Sequence, residues 1–270
     1  MQGSSRAAAA ASRDALTGAL AGGADRSRLA EELFAVVGLL DGSTSLRRAV
    51  ADTSREGSDK VALADRLFAG KVGDETLAVL RGVFGQRWTD ERDLTDTLEA
   101  YAVESVIAQA EGEGRADRVE DELFRFERIV ASDGGLRTAL TDAQASGERR
   151  LALVESLLGD KVAPEALGLV RQAVRAPRGR RFDRTIERYL DIAARRREQQ
   201  TATVTSAVPL TDEDRARLAA GLATVYGGTV HINTVVDPRV MGGVKVEIGD
   251  ELIDGTVIRK LDAARRAMGA

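Results

Sequence analysis

The chain repeats itself at one fixed offset. Glu31-Glu32-Leu33-Phe34 returns as Asp121-Glu122-Leu123-Phe124, and Leu46-Arg47-Arg48-Ala49-Val50-Ala51-Asp52 returns as Leu136-Arg137-Thr138-Ala139-Leu140-Thr141-Asp142. Lys71-Val72, Glu75, Leu77 and Arg81 return as Lys161-Val162, Glu165, Leu167 and Arg171. Residues 32 and 122, 46 and 136, and 81 and 171 are each 90 apart. Further on, Thr97-Leu98-Glu99-Ala100-Tyr101 matches Thr185-Ile186-Glu187-Arg188-Tyr189 at an offset of 88, so the loop Arg175–Gly179 has lost two residues relative to Gly85–Asp90. A repeat this long is a duplicated domain, not a solenoid unit. Two like copies suit a spacer or scaffold. An active site needs an asymmetric cluster of polar groups, and none stands out.

Within each copy the period is helical. Leu29, Leu33, Val36, Val37 and Leu40 fall at i, i+4, i+7, i+8 and i+11, one apolar stripe that Gly42 ends. Further helices are expected at Ser4–Leu20, Leu46–Val50, Val61–Phe68, Glu75–Phe84 and Asp90–Ala110, joined by short loops into a bundle. The second copy closes with a pattern from Phe182 to Gln200, whose stripe is Phe182, Ile186, Tyr189, Leu190 and Ala193. At about 1.5 Å per residue it spans roughly 27 Å and leads toward the last domain. The fold class expected is mainly α with a small α+β domain. Residues 1–112 form a first bundle with its N-terminal helix, 113–200 a second ending in the long connecting helix, and 201–270 a C-terminal α/β domain. The duplicated units themselves run from about 26 to 112 and from 116 to 200.

After residue 200 the period changes. Thr203–Val208 reads as a strand that Pro209 ends. Thr211 with Asp214 resembles a capping box for a helix to Tyr226, stopped by Gly227-Gly228. Thr229–Val236 is a second strand, with His231, Asn233 and Val235 on one face and Val230, Ile232 and Thr234 on the other. Asp237-Pro238 begins a turn. Gly243–Ile248 alternates strictly, Leu252-Ile253 adds a possible short strand, and Thr256–Met268 reads as a closing helix. The order is β-α-β-β-α, with helices on one face of the sheet.

Candidate chemistry is sparse. The 270 residues are 43% hydrophobic and 30% charged, with a net charge of −4 and no cysteine. That composition builds cores, gives no general affinity for nucleic acid or anionic lipid, and excludes disulfides and thiolate metal sites. No apolar run approaches the roughly 20 residues of a membrane span, and Met1–Ala11 does not read as a signal peptide. Gly242-Gly243 fits neither phosphate-loop pattern and reads as a turn with φ > 0. His231, the only histidine, reads as a strand-face residue. Two basic stretches, Arg175–Arg184 and Arg195-Arg196-Arg197, read as a solvated loop and a helix end, against the alternative of an anion or nucleic-acid patch. Trp88 and Arg87, beside the loop that differs between copies, are candidates for a contact surface. No catalytic residue, cofactor or metal is expected.

Taken together, Val204-Thr205-Ser206-Ala207-Val208-Pro209-Leu210, then Val236-Asp237-Pro238, Gly242-Gly243-Val244 and Ile253-Asp254-Gly255-Thr256, resemble the C-terminal signature of the ATP synthase delta subunit family, relatives of the oligomycin-sensitivity-conferring protein. Position 256 is Thr where Ser is common. The second bundle resembles the family's N-terminal bundle through Leu136-Arg137, the Asp142 turn and Tyr189. The usual member has one bundle, and a second resembles the enlarged actinobacterial type. The resemblance implies a non-catalytic peripheral-stalk subunit at the cytoplasmic face of the cell membrane. Its bundle would hold the N-terminal helix of an alpha subunit, with two candidate grooves offered by the duplication. Its C-terminal domain would hold the ends of the b subunits. Val208, Pro209, Asp237, Pro238, Gly242, Gly243, Val244, Asp254 and Gly255 are the motif residues for such contacts. Neither nucleic acid nor direct membrane insertion is implied. A different class of reading, a small nucleotide- or RNA-binding adaptor, would use Gly242-Gly243 and the Arg-rich helix.

Overall fold

The computed structural model describes residues 3–142, 144–199, 201–226, 230–240, 242–248 and 251–255. The chain forms two compact units, Met1–Ala193 and Ala194–Ala270.

The first unit is helical. It contains α1 (Gly3–Ala21), α2 (Arg26–Gly42), α3 (Thr44–Ala51), α4 (Gly57–Phe68), α5 (Asp74–Phe84), α6 (Glu91–Gly112), α7 (Ala116–Ser132), α8 (Gly134–Thr141), α9 (Gly147–Leu158), α10 (Pro164–Arg175) and the part of α11 (Phe182–Gln199) up to Ala193. Helices α2 to α5 begin at 26, 44, 57 and 74, and α7 to α10 begin at 116, 134, 147 and 164, each 90 later. The duplication extends to individual hydrogen bonds. Glu32 takes the Gly73 N–H at 2.9 Å and Arg28 at 2.8 Å. Glu122 takes the Ala163 N–H at 2.7 Å and Arg118 at 2.7 Å. Each glutamate thereby supplies an acceptor at the start of the facing helix, α5 or α10, where amide protons lack intrahelical partners. Ser43 and Asp133 likewise cap α3 and α8 through Leu46 N and Leu136 N.

Helix α6 serves both copies. Shifting α1 by 90 residues gives 93–111, and α6 spans 91–112. It is therefore the last helix of copy one and stands where a first helix of copy two belongs. Its two sides are buried in different cores. Leu94, Leu98, Tyr101, Ala102 and Ala108 join the cluster built on α1 to α5. Val103, Ile107 and Ala110 join the one built on α7 to α11. Because both sides are covered, α6 also buries polar groups, Thr95, Glu99, Glu104 and Ser105 among them, and these must find partners inside the unit. α1 is docked, with Leu16 and Leu20 buried and Arg13 paired to Glu104 of α6 at 2.7 Å.

The double role explains a difference between the repeated tyrosines. Tyr101 Oη donates to Ala9 O at 2.9 Å and lies 2.9 Å from Ser12 Oγ, both on α1. Tyr189 is equally buried, but the helix before it is α6, and its hydroxyl has no hydrogen-bond partner among the described residues. Burial, and then the charge of Glu99, push its phenol far above the usual range. An unsatisfied buried hydroxyl costs about 1–3 kcal/mol. Tyr189→Phe is thus expected to be at least as stable as wild type in urea unfolding, whereas Tyr101→Phe loses about 1 kcal/mol. A loss in Tyr189→Phe equal to that in Tyr101→Phe would contradict this asymmetry.

The second unit contains β1 (Thr201–Ser206), α12 (Asp212–Tyr226), β2 (His231–Val236), β3 (Val244–Ile248) and β4 (Glu251–Asp254). The sheet order is β2-β1-β3-β4, with β1 and β2 parallel and the other pairs antiparallel. Ala202, Val204, Val246 and Ile248 share one face and pack with Leu222 of α12 and Val230. The capping box forms, with Asp214 N donating to Thr211 Oγ1 at 3.1 Å and the Thr211 hydroxyl to Asp214 at 2.7 Å. Leu252-Ile253 lies in a true fourth strand. The expected closing helix, Thr256–Met268, lies outside the described residues.

Candidate interaction sites

A groove of about 1370 Å³ runs along the first unit. Its floor is α6, through Val106, Gln109 and Asp96. One wall is α2 of copy one, through Ala30, Phe34 and Gly38. The other is α10 of copy two, through Pro164, Gly168 and Gln172. It exists because α6 carries a copy on each side. Phe34 packs against both cores.

One end of the groove is closed by the loop between α10 and α11. Arg178 holds φ 53°, a left-handed backbone that costs a non-glycine residue about 1–2 kcal/mol. Its guanidinium reaches Asp41 of α2 at 2.6 Å, and Thr95, Asp96 and Glu99 of α6 at 2.6, 2.9 and 2.8 Å. Arg180 takes the other Glu99 oxygen. Burial pulls the Arg178 pKa down, but Glu99, Asp96 and Asp41 outweigh it and the net shift is upward. The basic stretch Arg175–Arg184 is therefore neither a solvated loop nor an anion patch at these positions. It is a clamp between the copies. Sequence reading missed it because every acceptor lies in copy one, some 80 to 140 residues away.

Trp88 also departs from expectation. It is 1% exposed, and its indole N–H donates to Val83 O at 2.8 Å, so it fills the core of copy one and marks no contact surface. Arg87 beside it is exposed and donates to Thr53 O at 3.3 Å.

The nine motif residues of the second unit converge on one end of the sheet. Val208 and Pro209, both exposed, leave β1, and Val208 O accepts the Ser206 hydroxyl at 2.7 Å. Asp237 N donates to Ser206 O at 2.9 Å, which fixes the Asp237-Pro238 turn beside that strand end. The Asp237 carboxylate holds Arg239, and those bonds lower its pKa. Gly242 and Gly243 have φ 69° and 80°, the left-handed turn expected of them, and lead into Val244, the partner of Ser206 in the ladder. Asp254 pairs with Lys245 in the ladder, and Gly255 N donates to Val244 O at 3.0 Å. A Cβ on Gly255 would stand 3.1 Å from that same oxygen.

His231 is exposed at the start of β2. Among the described residues no group of three or more His, Asp or Glu is placed to hold a metal ion.

Comparison with known proteins agrees with this geometry. The model of the family described as ATP synthase delta (OSCP) subunit matches residues 98–268, beginning inside α6 where copy two takes its first helix. The chain is 45% identical to an ATP synthase subunit delta of Streptomyces griseus over 99% of both chains. It is 44% identical to one of Kineococcus radiotolerans, over 91% of this chain and 89% of that one, and 42% identical to one of Acidothermus cellulolyticus over the whole of both. The duplicated bundle, the sheet-end motif and these relatives together place the chain in the ATP synthase delta (OSCP) subunit family.

Proposed function

We propose that this chain is the peripheral-stalk, or stator, subunit that links the alpha subunits of the catalytic head to the b subunits and resists torque during ATP synthesis. Membership of the family makes it a non-catalytic subunit of a rotary ATP synthase, peripheral to a membrane-associated complex. Among the described residues no helix is long and apolar enough to cross a membrane. The reading divides the chain into bundles 1–112 and 113–200, which take the alpha N-terminal helix, and the domain 201–270, which takes the b ends through its sheet-end motif. The site is at the cytoplasmic face of the cell membrane.

The observation that carries the reading is the coupling of the two copies. A stator must transmit force without an internal hinge. A shared helix and a buried ion cluster across the copies make 1–193 behave as one body, and a groove between helices is a standard way to take an amphipathic helix. Torque is then carried by packing and hydrogen bonds, and no proton or phosphoryl group moves on this chain.

The test is capture by the full chain of a synthetic alpha N-terminal peptide and of the soluble part of b. Both are expected to bind, without competition. Gly243→Val puts a β-branched side chain at φ 80°, so it is expected to weaken b capture and spare the peptide. Retention of RNA with capture of neither partner would overturn the reading.

A further inference from the structure

A second cavity, of about 650 Å³, lies inside copy two and shares only Arg180 with the groove. Its floor is apolar: Val130 of α7, Leu140 of α8, Val174 of α10 and Phe182 of α11 are all buried. The duplication shows what stands there in copy one. Ala173 lines the cavity, and ninety residues earlier is Val83, whose carbonyl takes the Trp88 indole N–H. The cavity is thus the space that the Trp88 ring fills in copy one. In copy two the residue ninety later is Arg178, which reaches away into α2 and α6. Phe182, at the place of Leu94 with the offset of 88, covers the floor alone.

The rim is basic, with Arg137 of α8 and Arg150 of α9. These are the counterparts of Arg47 and Lys60. In copy one both cations have acceptors from the chain: Arg47 holds Glu91 at 3.2 Å, and Lys60 holds the Gln86 carbonyl of the loop. In copy two Glu91 has become Gly179, at the offset of 88. Arg137, which is exposed, keeps one long bond, to Ala131 O at 3.4 Å. Arg150 is half-buried, has no hydrogen bond or ion pair among the described residues, and its Nε is shut off from solvent. An N–H left in that state opposes folding unless an acceptor comes from outside the chain. The other two arginines of the cavity are engaged, Arg180 with Glu99 and Arg181 with Asp183 at 2.7 Å, so the Asp183 carboxylate at the rim is already neutralised.

We infer that this cavity binds a small aromatic anion, its flat ring in the space that corresponds to the Trp88 indole and its phosphate or carboxylate between Arg137 and Arg150. The ligand supplies both things that copy one draws from its own chain, an aromatic body and acceptors for two cations. A planar guanidinium gives two parallel N–H bonds to either kind of head group. An apolar chamber of this size with few convergent polar groups is the common form of a small-molecule site. The stator reading makes no use of the cavity, so the two stand or fall separately.

The test is calorimetric titration of the full chain with 1-naphthyl phosphate, which joins a flat ring to a phosphate. It is expected to bind, to raise the melting midpoint, and to bind at least tenfold more tightly than inorganic phosphate. Adenosine monophosphate and indole-3-acetate separate the two sources of such chemistry, a nucleotide and an aromatic acid, and the tighter of the two names the source. Arg150→Met keeps the apolar stem and removes the guanidinium. It breaks no bond within the chain, so it is expected to melt no lower than wild type while binding 1-naphthyl phosphate at least tenfold more weakly. Arg137→Gln, at an exposed position, is expected to fold as wild type does and to weaken binding as well. The proposal is overturned if 1-naphthyl phosphate does not bind, if it binds no better than inorganic phosphate, or if both variants bind it as wild type does. A midpoint of Arg150→Met well below wild type would also overturn it, since the guanidinium would then serve the fold and not a ligand.

Discussion

Replacing Glu99 by alanine is expected to destabilise the helical unit by about 3–5 kcal/mol, the usual cost of leaving buried charge without its partner. Glu99 is fully buried on α6, and its two oxygens bind Arg178 and Arg180. Removing it leaves two guanidiniums facing a cluster that still holds Asp96 and Asp41. The loss is large against a total stability of about 5–15 kcal/mol. Trp88 is the single tryptophan and sits in copy one, so its fluorescence in urea reports that copy. The midpoint is expected to fall without a change of spectrum in the folded state. Glu99→Gln keeps an acceptor for one arginine and is expected to lose less. A loss below about 1 kcal/mol in Glu99→Ala would mean that water screens the cluster as it does surface pairs.

The same cluster explains why Arg178 tolerates its backbone. The left-handed conformation opposes folding, and four acceptors on two helices offset it. Arg178→Gly would remove the strain along with the contacts, so it should cost less than Arg178→Ala by about 1 kcal/mol. The role follows from the topology: the clamp ties α2 and α6 of copy one to the loop of copy two, at the closed end of the groove.

Much of this was legible in the sequence, and the exceptions have physical causes. The helices, the offset of 90 and the change of period after residue 200 follow from local spacing, and the structure repeats two of the bonds of Glu32 at Glu122, to a helix-start N–H and to the arginine four residues before. The double role of α6 was not legible. α1 is rich in alanine, and α6 carries glutamates, threonines and a tyrosine, so their equivalence leaves almost no identity to find. It shows only once helix positions are compared. The sheet-end motif was legible as a string of residues, but its convergence depends on β3 lying against β1, a pairing that no local pattern states. The groove was least legible, because its walls come from opposite copies.

The loop between the fifth and sixth helices shows how one position took two uses, and it supplies the other large effect. In copy two it sends Arg178 outward into copy one. In copy one it turns Trp88 inward, where the indole is 1% exposed and its N–H satisfies Val83 O at the end of α5. The loop is held from three sides. Lys60, itself buried, donates to Gln86 O. Thr89 N donates to Ser5 Oγ of α1 at 3.1 Å. A Cβ on Gly57 of α4 would stand 2.6 Å from Gly85 O, so backbone meets backbone there. A frame fixed this closely cannot collapse into the space the indole leaves, and collapse is what makes large-to-small changes tolerable. Trp88→Ala is therefore expected to lose about 3–5 kcal/mol, read by circular dichroism in urea because the variant has no tryptophan. Trp88→Phe keeps most of the ring and loses the hydrogen bond, so it should fall between the two. Since copy one supplies α6 and one groove wall, Trp88→Ala should also weaken binding of the alpha peptide at temperatures near its lowered midpoint and restore it on cooling. Loss of binding in a variant still fully folded would instead place Trp88 at the contact surface itself.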